Sequence, residues 1–322
     1  SVCLSNKFME AVKNDDDWEL VFPDSTDPDY DNAWNGDIDE WRKMGKELKI
    51  DQSHGGSSAQ ARAVNDGLDA DVVTMNTTTD VDFLASTGVV TKDWTKRFPH
   101  SASPTTSTML FLTRNGNPKG IKDWDYLVKP GIKVIVVNPK TGGNGRMAYL
   151  AAWGYVKKKG GSDAEAADFV SKLYKNVPVL AKGGRDATTI FLQRNIGDVL
   201  VTFESEVVSV DREFGVGKVD AIHPSISIVA ENPVAVVERT VAKKGTGTLA
   251  KEYLDYLYSE EAQEIAAKHA LRPRSPTVLK KYSKTFKPLQ LFTVNEVFGS
   301  LADAQKVHFN DGGQFDKIYT VK

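Results

Sequence analysis

From about residue 46 onward, short runs rich in Val, Ile, Leu and Phe take turns with longer stretches of helical period. The short runs are 47–52 (ELKIDQ), 70–76 (ADVVTMN), 107–114 (STMLFLTR), 133–139 (KVIVVNP), 177–181 (VPVLA), 197–205 (GDVLVTFES) and 225–238 (SISIVAENPVAVVE). Their apolar character predicts strands buried on both faces. Between them, 58–68, 145–159, 163–176 and 187–195 read as helices. Strand and helix in alternation predict βαβ units, hence an α/β fold on a mainly parallel sheet. Within this region GIKDWDYLVKPG (120–131) predicts a short amphipathic helix closed by Pro-Gly. The last quarter changes character: 248–270 predicts two helices punctuated near Ser259, and the RPRSP run that follows is a break. No repeat and no low-complexity segment is evident. Residues 1–45 differ in kind, being dense in aspartate and turn formers. They hold one clear strand candidate, 18–22 (WELVF), and a short helix is expected from about Asn35 to Met44.

A chain of 322 residues has room for two domains, and 40% hydrophobic with 26% charged residues is a balance that buries a core. The net charge of −2 supplies no basic field for nucleic acid or an anionic membrane. No apolar run reaches the length of a membrane span. The start, SVCLSNKFMEAVKNDDD, lacks a basic and then apolar leader pattern, which fits a cytosolic chain or one whose leader has been removed. Cys3, the single cysteine, has no partner for an internal disulfide and no evident base to make it a nucleophile.

Three strand-to-helix turns carry glycine pairs: SHGGSS (53–58), KTGGNGR (140–146) and KGGRD (182–186). A helix start leaves its first N–H groups without intrahelical partners and carries a partial positive charge. Glycine there lets a ligand approach the backbone closely. One such turn is an ordinary tight turn; three after strand candidates point to an anion cradle. None has the P-loop or G-x-G-x-x-G spacing, so neither nucleotide class fits. The nearby donors are Ser53, Ser57, Ser58, Thr141 and Asn144, with Arg146 and Arg185 just inside the second and third helices. A site made of donors suits an oxyanion without protons. Sulfate fits that description, whereas phosphate near neutral pH keeps a proton that would be desolvated without a partner.

Residues 46–322 resemble the sulfate/thiosulfate-binding proteins that serve ABC importers in the bacterial periplasm. The strings that carry the resemblance include QSHGGS, DGLDADVVT, STMLFLTRNGNPKGIKDWDYLVKPG, NPKTGGNGR, YLAAWGY, FVSKLYKNVPVL, GDVLVTFESE, VAENPVAVV, YLYSEEAQEIAAK and HFNDGGQFDKI, in family order. The resemblance implies a two-lobed periplasmic-binding-protein fold of type II, with hinge strands at 107–114 and 227–237. On that expectation lobe one comprises 1–113 and 229–322, and lobe two 114–228. It also implies a receptor rather than an enzyme, without cofactor or metal, a monomer that takes sulfate or thiosulfate and hands it to a membrane ABC permease. The family's ligand serine falls on Ser57, with His54 bracing the loop. The second ligand loop falls on Thr141, Gly142, Gly143 and Asn144, where Gly142 lacks a serine hydroxyl that Thr141 replaces in part. The third loop offers the N–H of Gly184. Phe203 stands where sulfate-specific members place a donating tryptophan, and it has no N–H to give.

The first 45 residues depart from that family. FMEAVKNDDDWELVFPDSTDPDYD resembles a segment of adenosylcobalamin-dependent ribonucleotide reductases. WELVFPDSTDP nevertheless offers a strand and turn in place of the family's own, with Asp27 in the position of the family's aspartate. A second reading is therefore a recombined or fused chain with that N-terminal fragment and weakened or lost anion binding. The DPDYDN run starts like a calcium loop, but Asn32 and Ile38 stand where glycine and glutamate belong, so a solvated acidic turn is expected. His54, His100, His223, His269 and His308 show no zinc spacing. Glu204 and Glu206 are expected to make structural hydrogen bonds, and the six tryptophans to pack.

Overall fold

The computed structural model describes residues 2–5, 51–54 and 57–319. In chain order the strands are β1 (Val2–Ser5), β2 (Asp51–His54), β3 (Val72–Thr74), β4 (Thr105–Arg114), β5 (Val134–Val137) and β6 (Leu180–Ala181). They continue with β7 (Val199–Phe203), β8 (Val219–Ile222), β9 (Ile226–Asn232), β10 (Val234–Val236), β11 (Arg272–Pro273) and β12 (Gln290–Phe292). The helices used below are α1 (Ser57–Asn65), α2 (Thr78–Ser86), α3 (Gly143–Lys158), α4 (Asp163–Lys175), α5 (Gly184–Thr188), α6 (Ser205–Phe214), α7 (Gly247–Tyr256) and α8 (Glu260–Lys268).

The chain divides into two compact units, residues 1–106 with 231–282 and residues 107–230 with 283–322. The expected division differs from this mainly after residue 282, where the described residues 283–319 pack in the second unit rather than the first. His308, Phe309 and Phe315 all lie against Tyr149 of α3. Such contacts join residues some 160 positions apart, and no local pattern announces them.

In the first unit the strand order is β10-β3-β1-β2. Every described pair is antiparallel: β1 with β2, β1 with β3, and β10 with β3. Strands β2 and β3 thus run the same way, joined through α1 as the βαβ reading requires, but β1 runs between them in the opposite sense. The sequence reading placed no strand at residues 2–5. Its expected strand at 18–22 and helix at 35–44 lie outside the described residues, as does Asp27. Val72, Val73, Met75, Val81, Leu84, Val234 and Leu254 form the core of this unit.

In the second unit the sheet order is β12-β9-β4-β7-β5-β6, with β8 also on β4. Strands β7, β5 and β6 are mutually parallel. Strand β4 is antiparallel to β7 and β8, so the sheet is mixed rather than mainly parallel. Alternation explains the continuous apolar runs. Phe111, Val134, Val136, Val199 and Val201 enter one core, and their neighbours Leu112, Ile135, Val137 and Leu200 enter another. Both faces of the sheet are covered, so every position of such a strand is apolar.

Local signals mark several helix ends. Ser162 accepts from the Glu165 N–H while Glu165 accepts from the Ser162 N–H, a capping box that starts α4 at Asp163. Ser259 separates α7 from α8 and caps the latter through Ala262 N–H at 3.2 Å. The GIKDWDYLVKPG stretch folds into one turn, Trp124–Leu127, capped by Asp123. Pro233, which cannot donate to a ladder, splits the run at 225–238 into β9 and β10.

Candidate functional site

The parallel strands β5, β6 and β7 put their carboxyl ends along one edge of the second unit. That edge is where open α/β sheets place ligands. Helix α3 starts directly after β5, and α5 after β6. Both starts have glycine at the N-cap, Gly142 and Gly183, in extended backbone and without a side-chain cap. The opening N–H groups of α3 belong to Gly143, Asn144 and Gly145; the first to close an intrahelical bond is Arg146, whose N–H reaches Gly142 O at 3.1 Å.

At the α3 start two glycines are required by packing, whereas a Cβ on Gly183 would meet nothing within 4 Å. A Cβ on Gly145 would stand 2.4 Å from Val137 O and 2.8 Å from Asn138 C. A Cβ on Gly142 would stand 2.8 Å from Val137 Cγ1. The helix therefore begins pressed onto the end of its own strand. The preceding loop is tied by Asn138, whose carbonyl accepts from the Thr141 and Gly142 N–H groups at 3.1 Å each. Asn138 Oδ1 accepts from Lys140 N at 2.9 Å.

The side chains expected near this edge divide into two groups. Asn144, second residue of α3, is 9% exposed. Its Nδ2 lies 3.2 Å from Thr202 Oγ1 at the end of β7. The same Nδ2 is 3.7 Å from where a Cβ of Gly184 would be. Asn144, Gly184, Thr202 and the adjoining Phe203 are thus brought together with Gly143. Thr141 is turned elsewhere: its hydroxyl donates to carbonyls of Asn138 or Lys182, at 3.3 and 3.4 Å, and joins two loops. The cations are also committed. Arg146 Nη1 donates to Gln305 Oε1 at 3.1 Å, and Arg185 pairs with Glu213 of α6. Lys140 is 2.9 Å from Asp316 and 3.4 Å from Asp311.

Glu204 follows Phe203 and is buried, with its carboxylate 3.9 Å from His223 Nε2. Glu206, in the first turn of α6, has its carboxyl pushed up by burial; Arg185 pulls it back and Glu213 pushes further. Thr202 had no place in the sequence reading. A lone polar residue ending the apolar run VLV, facing a helix start, was the signal available.

In the first unit β2 leads to α1, which opens on Ser57. Ser57 is 8% exposed, and its Oγ accepts from Asn76 N at 2.8 Å. Ser58 donates to Asp80 Oδ1 at 2.8 Å, and Thr77 donates to Asp80 Oδ2 at 2.7 Å. Ser53 pairs with Gln60 rather than facing outward. His54 ends β2 opposite Val2. Of the expected donors in this unit, Ser57 and Ser58 open the helix; Ser58 is spent on Asp80, while Ser57 Oγ accepts from the Asn76 N–H and its own proton points to Met75 Sδ at 3.7 Å. Among the described residues no group of three or more His, Cys, Asp or Glu could hold a metal ion, and no helix is long and apolar enough to cross a membrane.

The family described as bacterial extracellular solute-binding protein matches residues 38–272. The thiosulfate-binding protein of Pseudomonas aeruginosa is 53% identical over 87% of this chain and 85% of its own length. The sulfate-binding protein of Escherichia coli is 50% identical over 90% of this chain and 88% of its own. Among solved structures, the sulfate-binding protein SubI from Mycobacterium tuberculosis superposes with a TM-score of 0.77 at 30% identity, covering 87% of this chain and 96% of that one. The architecture is that of type II periplasmic binding proteins, and the relatives are binding proteins, not enzymes.

Proposed function

The chain belongs to the bacterial extracellular solute-binding proteins, and we propose that it is a periplasmic receptor that captures sulfate, or thiosulfate, for a membrane ABC importer. The observation that carries this reading is the α3 start. Its N-cap has no side chain to satisfy the opening N–H groups, and a second uncapped start lies beside it. Uncapped N–H groups at the positive end of a 16-residue helix stabilise an anion by direct hydrogen bonds and by the aligned dipole. The neighbouring cations Lys140, Arg146 and Arg185 already have partners in the protein. Binding therefore rests on Gly143, Asn144 and Gly184 in the second unit, with Ser57 the corresponding candidate in the first. No bond is made or broken.

A set of N–H donors discriminates by proton content. Sulfate brings four bare oxygens. Hydrogen phosphate brings an O–H that loses water and meets another donor, at a cost of about 1–3 kcal/mol, roughly tenfold to a hundredfold in affinity. Calorimetry with sulfate, thiosulfate, phosphate and molybdate tests this. Saturable binding of sulfate or thiosulfate, with phosphate weaker by at least about tenfold, is the expected result. A preference for phosphate would overturn the donor account, and no response to any of the four would overturn the receptor reading itself.

A further inference from the structure

At the other edge of the second unit's sheet, away from the helix starts of the candidate anion site, five segments converge. Strand β4 runs against β7 with Thr113 opposite Val199, and Val134 of β5 is level with Val199, so β4 ends where β5 and β7 begin. Strand β8 starts there too, with Val219 facing Arg114. Asn176 O, ahead of β6, accepts from Val134 N at 2.9 Å, and Arg114 Nη2 donates to Gly197 O at 3.0 Å. The segments that meet are 114–117, 128–133, 175–179, 194–198 and 215–218. Their charged residues are Arg114, Lys129, Lys133, Lys175, Arg194 and Lys218 against a lone Asp198. The whole chain has 41 basic and 43 acidic residues, so a near-zero net charge hides a local excess of one sign.

The protein itself leaves most of this charge uncompensated. Asp198 Oδ2 accepts from the Lys133 backbone N–H at 2.8 Å. Arg114 is half-buried and lies over the Phe191 ring at 4.0 Å. The other five cations are exposed, and among the described residues none of them has an ion-pair partner. Lys129 Nζ leans over the Tyr126 ring at 3.4 Å. Of the neighbouring acids, Asp125 is held by Tyr155 and Lys159, and Glu213 by Arg185. The same segments carry three of the five large hydrophobic side chains exposed among the described residues: Val179 and Ile196, each 37% exposed, and Val216, 87% exposed. Val216 tips a turn whose flanking Gly215 and Gly217 have φ of 93° and 81°, which glycine adopts without strain.

We infer that this edge is a peripheral binding surface for an anionic phospholipid bilayer, with Val216 entering the headgroup layer and the five exposed cations resting on lipid phosphates. Charge complementarity carries the assignment. Four of the five are lysines, hydrated point charges on flexible stems, which suit a diffuse negative surface better than a bidentate site. An acidic protein would have to place a carboxylate opposite each cation. A bilayer is negative throughout and also receives the exposed valines and isoleucine. The inference goes beyond the receptor reading and does not use it, because the anion donors lie at the opposite edge of the sheet.

The test is co-sedimentation of the whole chain with vesicles of phosphatidylcholine alone and of phosphatidylcholine mixed with phosphatidylglycerol. Binding to the mixed vesicles only is expected at low ionic strength, and its loss in about 1 M salt, where the Debye length is about 3 Å. A cation near an anionic surface contributes about fivefold in partition, so Lys129→Gln, Lys133→Gln and Lys218→Gln together should weaken binding on the order of a hundredfold. Lys92→Gln, Lys96→Gln and Lys268→Gln remove equal charge from exposed positions in the first unit and should leave binding as in the wild type. Val216→Ser should weaken it severalfold at constant charge. Equal binding to both vesicles, no binding to either, or equal loss in the two triple variants would overturn the inference. If the wild type ignores vesicles but binds polyglutamate, and the edge variant does not, the edge docks an acidic protein and the membrane assignment falls. The comparison of the two vesicles needs no variant. Sulfate calorimetry on the edge variant should match the wild type, so failure here leaves the receptor reading standing.

Discussion

His308 should make the second unit acid-sensitive in a way one substitution removes. Its ring is buried against Tyr149, Trp153, Phe298 and Phe309, with Nδ1 3.1 Å from Tyr149 Oη. Burial lowers its pKa from an ordinary 6.5 to about 4, against a small opposing pull from Asp163. Because the folded value lies below the unfolded one, the unfolded chain binds the proton first as pH falls. Stability is therefore full above pH 6.5, declines as pH drops below it, and reaches its floor below about 4. Between pH 7.5 and pH 5 these two values imply a loss of about 2 kcal/mol from this one group.

The comparison variant is His308→Asn, whose amide oxygen can accept from Tyr149 but does not titrate. Urea unfolding followed by tryptophan fluorescence at pH 7.5 and pH 5, without sulfate, gives the two stabilities. The wild type should lose about 2 kcal/mol more than the variant over that interval. Titration of the His308 ring by NMR should fall near pH 4. Equal losses in the two proteins, or a ring titrating near 6.5, would refute the reasoning.

Gly154→Ala should destabilise the second unit: the new methyl would stand 2.1 Å from the ring of Phe292 on β12, itself fully buried. Overpacking costs about 1–3 kcal/mol and the helix-propensity gain of Ala returns at most about 1, so thermal unfolding should shift down by a few degrees, and an unchanged or higher midpoint would contradict the packing argument. Glu206→Gln should stabilise at neutral pH, because burial raises the Glu206 carboxyl in the folded state. A raised folded pKa favours the native state fully below the unfolded value and loses that advantage as pH rises, so the gain of Glu206→Gln over wild type in urea unfolding should be present at pH 7 and vanish near pH 4.

Much of this was legible because its causes are local. The glycine-marked helix starts at Gly143 and Gly184 follow from strand-to-helix turns, and at the first of them Gly142 and Gly145 lie too close to the end of β5 for a side chain. Ser162 with Glu165, and Ser259, announce their helices through their own caps. The alternation that buries both faces of β5 and β7 is written in unbroken runs of Val, Ile and Leu. What stayed hidden depends on distant partners. Val2–Ser5 becomes a strand because β2 and β3 flank it, and four residues carry little periodicity. The C-terminal residues join the second unit through Tyr149 and Trp153. Thr141 carries a suitable hydroxyl, yet its proton goes to a carbonyl of Asn138 or Lys182. Arg146 and Arg185 sit at helix starts in the sequence but reach away to Gln305 and Glu213. Residue type and spacing identify a donor; only the fold decides what it donates to.

These hidden contacts explain how α3 stays in place while its start keeps the uncapped N–H groups on which the proposed anion site rests. Its residues 147–155 are buried, so nearly the whole helix is core and its start is fixed by packing rather than by a cap. The C-terminal segment grips it at several points: Gln305 on Arg146, His308 and Phe309 on Tyr149, and Asp316 on Lys140 in the loop before it. The cations nearest the helix start thus serve as attachments for the frame, which on the proposed reading leaves amides to face the anion. Amides do not titrate, and sulfate does not take up a proton near neutral pH. Acid sensitivity in this unit consequently belongs to the brace behind the helix, where His308 is, and not to the donors in front of it. A fall in sulfate binding between pH 7.5 and pH 5 would accordingly track loss of folded protein, with the affinity of the remaining folded fraction unchanged.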